Sequence, residues 1–104
     1  MRYVFDLDNT LCDTRKNEDG NWDYLGAKPF TDRVRKVNQL YEEGHYIMIE
    51  TARGCVSGKD WYPQTYEQLI SFGLKFHELR TGVKLNADFF VDDKGVNDRD
   101  FFGN

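Results

Sequence analysis

A chain of 104 residues has room for one domain around one core, and 39 % hydrophobic with 15 % aromatic residues excludes a disordered polypeptide. The formal net charge of −4 argues against a general nucleic-acid binder, which carries a basic surface, and makes nucleic acid an unlikely partner. Two cysteines without metal-type spacing fit a reducing cytoplasm, Met1-Arg2-Tyr3 leads into a strand rather than a signal peptide, and no apolar run nears membrane-spanning length.

In chain order, residues 2–7 read as a short buried strand dense in apolar β-formers. Residues 13–27 are polar and centre on Asp19-Gly20, a tight-turn signal that predicts a small hairpin flap. Pro29 opens a helix over residues 30–43 whose apolar face is Val34, Val37, Leu40 and Tyr41, with Gly44 as its stop. Tyr46 to Glu50 is a second buried strand running into the small-residue loop Thr51-Ala52-Arg53-Gly54. A second helix over 61–72 points Leu69 and Ile70 inward and ends at Gly73. Residues 75–80 read weakly as a third strand, Ala87 to Val91 as a fourth ending in Asp92-Asp93, and the tail from Asn97 as one helical turn. Strands alternating with helices predict an α/β fold with a doubly wound parallel sheet in a single domain over residues 1–104. Ligands in such sheets bind beyond the carboxyl ends of the strands. Asp6/Asp8, Thr51 and Asp92/Asp93 all fall at such ends, and they converge if the first strand lies between the second and fourth.

The residue types at those ends suit phosphate-ester cleavage. Asp6 and Asp8 repel each other unless a cation lies among them, and Mg²⁺ is the expected one. A carboxylate is already ionised at neutral pH and can attack phosphorus without first losing a proton, which suits Asp6. Asp8, two residues on, can reach the leaving oxygen as acid and base. Thr51 offers a hydroxyl and a backbone N–H to a phosphate oxygen, Lys84 a positive charge, and Asp92, with Asp93 beside it, a carboxylate for the metal opposite Asp6. Thr10 and Arg53 stand near as supporting residues, and Lys75 and Lys94 rival Lys84. Arg53 and Lys59 either bind the rest of a substrate or lie on the surface. Trp22 is expected to pack beneath the hairpin, Cys12 to be a small packing residue, and Phe101 and Phe102 to dock the tail.

Taken together, Asp6-Leu7-Asp8-Asn9-Thr10, Ile47-Met48-Ile49-Glu50-Thr51, Lys84 and Phe89-Phe90-Val91-Asp92-Asp93 resemble the four motifs of the haloacid dehalogenase-like (HAD) superfamily over nearly the whole chain. Leu85 departs from the proline frequent after the family's lysine. The resemblance implies a phosphatase with Asp6 as nucleophile forming an aspartyl-phosphate, Asp8 as acid/base, Thr51 and Lys84 on the phosphate, and Mg²⁺ on Asp6, the Asp8 backbone carbonyl and Asp92. An acid at Asp8 favours phosphoryl transfer over dehalogenation. The short spans between motifs imply a capless member, resembling those of capsule and surface-polysaccharide biosynthesis, with a sugar phosphate as the substrate and the flap or a neighbouring copy in a homo-oligomer as cover. The alternatives are a nucleotide or polynucleotide end-phosphatase, and a non-catalytic Mg²⁺- or phosphate-binding module of a complex.

Overall fold

The computed structural model describes residues 1–55, 58–82, 88–89 and 91–103. Strand β1, Arg2–Phe5, pairs in parallel with β4, Tyr46–Thr51, which pairs in parallel with β5, Glu78–Thr81. The three-stranded order is β1-β4-β5, so β4 is central. Helix α1, Thr31–Glu42, precedes β4, and α2, Tyr62–Ser71, follows it. Strands β2, Cys12–Asp13, and β3, Lys28–Pro29, form an antiparallel pair, and α3, Asp98–Phe102, lies near the end of the chain. No helix among the described residues is long and apolar enough to cross a membrane.

The core follows from the two periodicities. Along β4, Ile47, Ile49 and Thr51 are buried while Tyr46, Met48 and Glu50 are half-buried, the alternation of a pleated strand. Helix α1 buries Arg33, Val34, Val37 and Leu40, spaced three and four apart on one face. Phe5, Leu7, Leu11, Leu69, Leu74 and Leu79 complete the same cluster. Tyr3 and Phe5 meet Phe101 at ring-centroid distances of 6.0 and 5.6 Å, which docks the tail as expected.

The expected hairpin is present. Its base is the β2–β3 ladder, with Cys12 opposite Pro29, and its arm is closed by the Lys16–Trp22 bridge. At the tip the Asp19 carboxylate accepts the Asn21 N–H at 2.9 Å and Gly20 adopts φ +85°, a conformation that favours glycine. The prediction for Trp22 is corrected. It is 46 % exposed, with the Lys16 ammonium 5.1 Å from its ring, because the arm from Arg15 to Trp22 is exposed throughout and leaves nothing to pack beneath.

Three further expectations change. The first strand ends at Phe5 rather than residue 7: Leu7 leaves the ladder, and its carbonyl accepts the Thr10 and Leu11 N–H groups in a tight turn. Ile70 is 55 % exposed, not inward, because Thr65, Gln68 and Leu69 define the buried arc of α2 and the next position turns about 100° away. Among the described residues the expected fourth strand, Ala87 to Val91, is not seen. Asp88, Phe89 and Val91 are exposed and outside any strand, while Ala87 and Phe90 lie outside the described residues. High β-propensity reports how well a residue fits a pleated surface and supplies no ladder partner. Among the described residues β1 therefore has β4 as its one sheet neighbour and is not flanked on both sides.

Candidate functional site

The site begins where β1 stops. Phe5 lies opposite Ile49, and the chain then turns through Asp6 to Cys12 while β4 runs on to Thr51. Asn9 takes φ +62°, which asparagine tolerates better than most side chains, and its carboxamide oxygen accepts the Thr14 N–H at 3.2 Å. The Asn9 N–H reaches the Cys12 carbonyl at 2.7 Å. Leu7 is fully buried, so the loop is pinned by one apolar side chain between two half-buried carboxylates. Burial alternates past the last ladder residue, with Asp6 half-buried, Leu7 buried and Asp8 half-buried.

Asp8 is held from several directions. Arg53 donates Nη2–H to its Oδ1 at 2.8 Å and Nε–H to its Oδ2 at 3.0 Å, a two-pronged pair. The Thr14 hydroxyl donates to Oδ1 at 2.6 Å, and the Cys12 Sγ lies 3.8 Å from the same oxygen. Asp6 receives the Thr10 hydroxyl at 3.5 Å. Thr51 is buried, and its hydroxyl accepts the Arg53 backbone N–H at 3.2 Å, so the last residue of β4 shapes the loop that carries the arginine.

For Arg53 the surface alternative is corrected. Its side chain has 0 % exposure. Beyond Asp8 it donates Nη1–H to Gln68 Oε1 at 2.7 Å and lies 3.2 Å from the Thr65 hydroxyl, and its guanidinium sits 4.7 Å from the centre of the Tyr24 ring. A buried guanidinium needs this many acceptors because an unmatched charge away from water is costly. Sequence reading could not find Thr14, Gln68 or Tyr24. The one signal was the spacing of Thr65 and Gln68, which puts two polar residues on the inward face of a helix.

Electrostatics in the cluster follow burial and charge. Burial, opposed by the Thr14 hydrogen bond and reinforced by the Asp8 charge, pushes the Cys12 thiol up to about 11, as befits a packing residue rather than a nucleophile. Burial, then the negative charge of Asp8, raises the Tyr24 phenol. Tyr24 also meets Trp61 edge-on at 5.0 Å, and the Lys59 ammonium sits 4.3 Å from the Trp61 ring. A second arginine steadies the same loop from another side: Arg33 donates to the Thr10 carbonyl at 2.9 Å. A cleft of about 440 Å³ lies at this end of α1, lined by residues Pro29 to Arg33 and, among the described residues, by none of the clustered carboxylates.

Asp6, Asp8, Thr10, Thr51 and Arg53 therefore stand in one neighbourhood, joined by hydrogen bonds or by adjoining strand ends. Asp92 and Asp93 are exposed. Asp92 accepts the N–H groups of Lys94, at 2.8 Å, and Gly95, and these bonds hold its carboxyl below the usual range. Among the described residues no three acidic, imidazole or thiol side chains gather closely enough for one cation, so Asp92 does not join Asp6 and Asp8 there. Lys84 lies outside the described residues. Its rival Lys75 pairs with Glu42 on the surface, as expected of a solvated charge.

No protein-family model matches the chain, and no curated protein matches it. Among solved structures it is similar to the crystal structure of a structural-genomics target from Vibrio cholerae, with a TM-score of 0.80 and 22 % identity over 97 % of this chain and 86 % of the other. That likeness concerns the fold.

Proposed function

We propose that the chain is a capless, Mg²⁺-dependent phosphomonoesterase of the HAD-like type, built on the doubly wound parallel sheet of that superfamily and acting on a sugar phosphate. The observation that carries the reading is the carboxylate pair Asp6 and Asp8 on the loop leaving β1, beside the Thr51 end of the neighbouring parallel strand. Ligands of parallel sheets bind at such ends.

In this reading an Asp6 carboxylate oxygen attacks phosphorus in line, forming the Asp6–phosphorus bond as the bond to the departing alkoxide breaks. Asp8 gives that alkoxide its proton. Water then attacks phosphorus and gives its proton to Asp8, and the bond to Asp6 breaks to release phosphate. Asp8 Oδ1 accepts two strong donors, Arg53 Nη2–H and the Thr14 hydroxyl, whereas Oδ2 accepts Arg53 Nε–H, so Oδ2 is the oxygen with room for the travelling proton. Thr51, with Lys84, would hold the phosphate oxygens.

The donor chemistry fits Mg²⁺. The Asp6 carboxylate and the Asp8 carbonyl are hard oxygen ligands, and Mg²⁺ commonly keeps several waters and takes one or two protein carboxylates beside the substrate phosphate, so this pair suits it without Asp92. When bound it supplies charge neutralisation for an anionic ester approached by an anionic nucleophile.

Hydrolysis of p-nitrophenyl phosphate with Mg²⁺ tests the reading. Turnover abolished by EDTA and by Asp6→Asn supports it. Absence of turnover on a panel of sugar phosphates, nucleotides and 3′-phosphorylated oligonucleotides, by folded protein in Mg²⁺, would refute it in favour of a binding module.

A further inference from the structure

We propose that Arg53 is a positioning residue that couples the seating of the flap to the orientation of the Asp8 carboxylate, with Gln68 as the link. The inference rests on the phosphomonoesterase reading and deepens it.

Four contacts form a continuous path. The flap contributes the backbone carbonyl of Tyr24, which accepts Gln68 Nε2–H at 2.7 Å. The oxygen of that same carboxamide accepts Arg53 Nη1–H at 2.7 Å. The remaining guanidinium edge is the fork that holds both oxygens of Asp8, at 2.8 and 3.0 Å. The Tyr24 ring lies under the guanidinium, so the flap touches Arg53 a second time. Gln68 uses its donor on the flap and its acceptor on the arginine, and rotating the amide to improve one bond breaks the other. Arg53 is equally committed: it is fully buried, planar and rigid, and it cannot turn toward substrate without abandoning an acceptor.

This geometry makes two demands that simple packing does not. A flap that lifts removes the acceptor of Gln68 Nε2–H and the ring beneath Arg53, which frees the guanidinium to tilt and carries the Asp8 carboxylate with it. A flap seated over substrate sets that carboxylate in one orientation. In a capless enzyme the closure of the cover and the placement of the acid would then be one event, and the leaving oxygen meets a placed acid when the flap is down.

Two variants of the 104-residue chain test the coupling. Gln68→Glu keeps an acceptor for Arg53, now charged, and loses the donor to Tyr24, so it cuts the flap link while the bond to the guanidinium stays. Arg53→Lys keeps a positive charge and loses the fork. Thermal melting first establishes that each variant is folded, and Gln68→Glu carries the test where Arg53→Lys does not fold. Two readouts follow: kcat on an aryl phosphate against an alkyl phosphate, and the rate of tryptic cleavage at Arg15 and Lys16 of the flap, with fragments identified by mass. Alkoxides need a proton to depart and nitrophenolate does not, so a misplaced acid is felt on the alkyl ester. We expect alkyl-ester turnover to fall about tenfold or more beyond the loss on the aryl ester in both variants. We also expect flap cleavage to accelerate in Gln68→Glu.

Equal losses on the two esters, or unchanged flap cleavage in Gln68→Glu, would overturn the coupling while leaving the phosphatase reading intact. A wild-type protein that turns over neither ester overturns that reading, and the proposal with it.

Discussion

Arg33 and Asp98 meet at 2.6 Å, an ion pair that ties the first turn of α1 to the first turn of α3 across 65 residues of chain. The Arg33 side chain is 10 % exposed and that of Asp98 29 %. The guanidinium lies 4.8 Å from the Phe102 ring and 5.4 Å from the Phe30 ring, and its Nη1 also reaches the Thr10 carbonyl. The tail is thus clasped at the point where Arg33 steadies the Asp6–Asp8 loop.

Asp98→Asn should cost up to about 1.5–3 kcal/mol, the range for a hydrogen bond to a charged group. The Arg33 hydrogen bond, chiefly, lowers the Asp98 carboxyl from its ordinary 3.8. A depressed native value makes this contribution present above the unfolded value and lost as pH falls through the native one. Denaturant titrations of both proteins should therefore differ at neutral pH and converge in acid.

Removing Asp8 should be a stability experiment as much as a functional one. Asp8→Ala leaves Arg53 buried beside two vacated bonds and should destabilise the fold by about 3 kcal/mol or more. Asp8→Asn keeps one acceptor and should cost less. Asp6→Asn leaves the ion pair untouched and should melt within a few degrees of the wild type, which makes it the cleaner variant for assays. Thermal melts of the three, run in parallel, check the ranking.

The two cysteines should separate by reactivity. Cys55 is exposed and should react with a thiol reagent at neutral pH, whereas Cys12 is buried and should react when the protein unfolds. Burial raises the Cys12 thiol from 9.0 to about 11. Its contribution to stability is therefore fully present below 9.0 and is lost as pH rises toward about 11. Cys12→Ala should flatten the alkaline fall in melting temperature.

Leu69 and Ile70 offer a direct check on the α2 face. Leu69→Ala should cost about 2–5 kcal/mol, because its side chain has no exposure and leaves a cavity. Ile70→Ala, at a position 55 % exposed, should cost under about 0.5 kcal/mol.

Gly54 follows the arginine directly, with φ +91°, and a Cβ there would stand 2.5 Å from the Lys59 carbonyl oxygen. Gly54→Ala should shift the loop, loosen Arg53 and lower stability by about 1–3 kcal/mol. Gly20→Ala, where φ is +85° and nothing lies near, should bear the backbone strain alone. Comparing the two melts separates collision from strain.

Much of the architecture was legible in the sequence because it rests on local rules. Apolar β-formers from Tyr46 to Glu50, one residue short of the observed end at Thr51, and the three-residue spacing of Val34, Val37 and Leu40 name a strand and a helix wherever the chain goes. Asp19-Gly20 names its turn for the same reason, and Asp6 and Asp8 alternate in burial with Leu7 just past the end of the first strand. Ile70 was misread because apolarity does not say which of two adjacent helical positions faces inward. The packing of Thr65 and Leu69 decides that.

Sequence by itself determined the two carboxylates after the first strand, the Asp19-Gly20 turn and the alternation of two helices with the first three predicted strands, since each depends on residues within a few positions of one another. Only the tertiary structure decided that Arg53 belongs to the interior. Its four supports, Asp8, Tyr24, Thr65 and Gln68, come from three separate stretches of chain, and a charge can be buried only where all of its acceptors arrive together. No local pattern encodes that meeting.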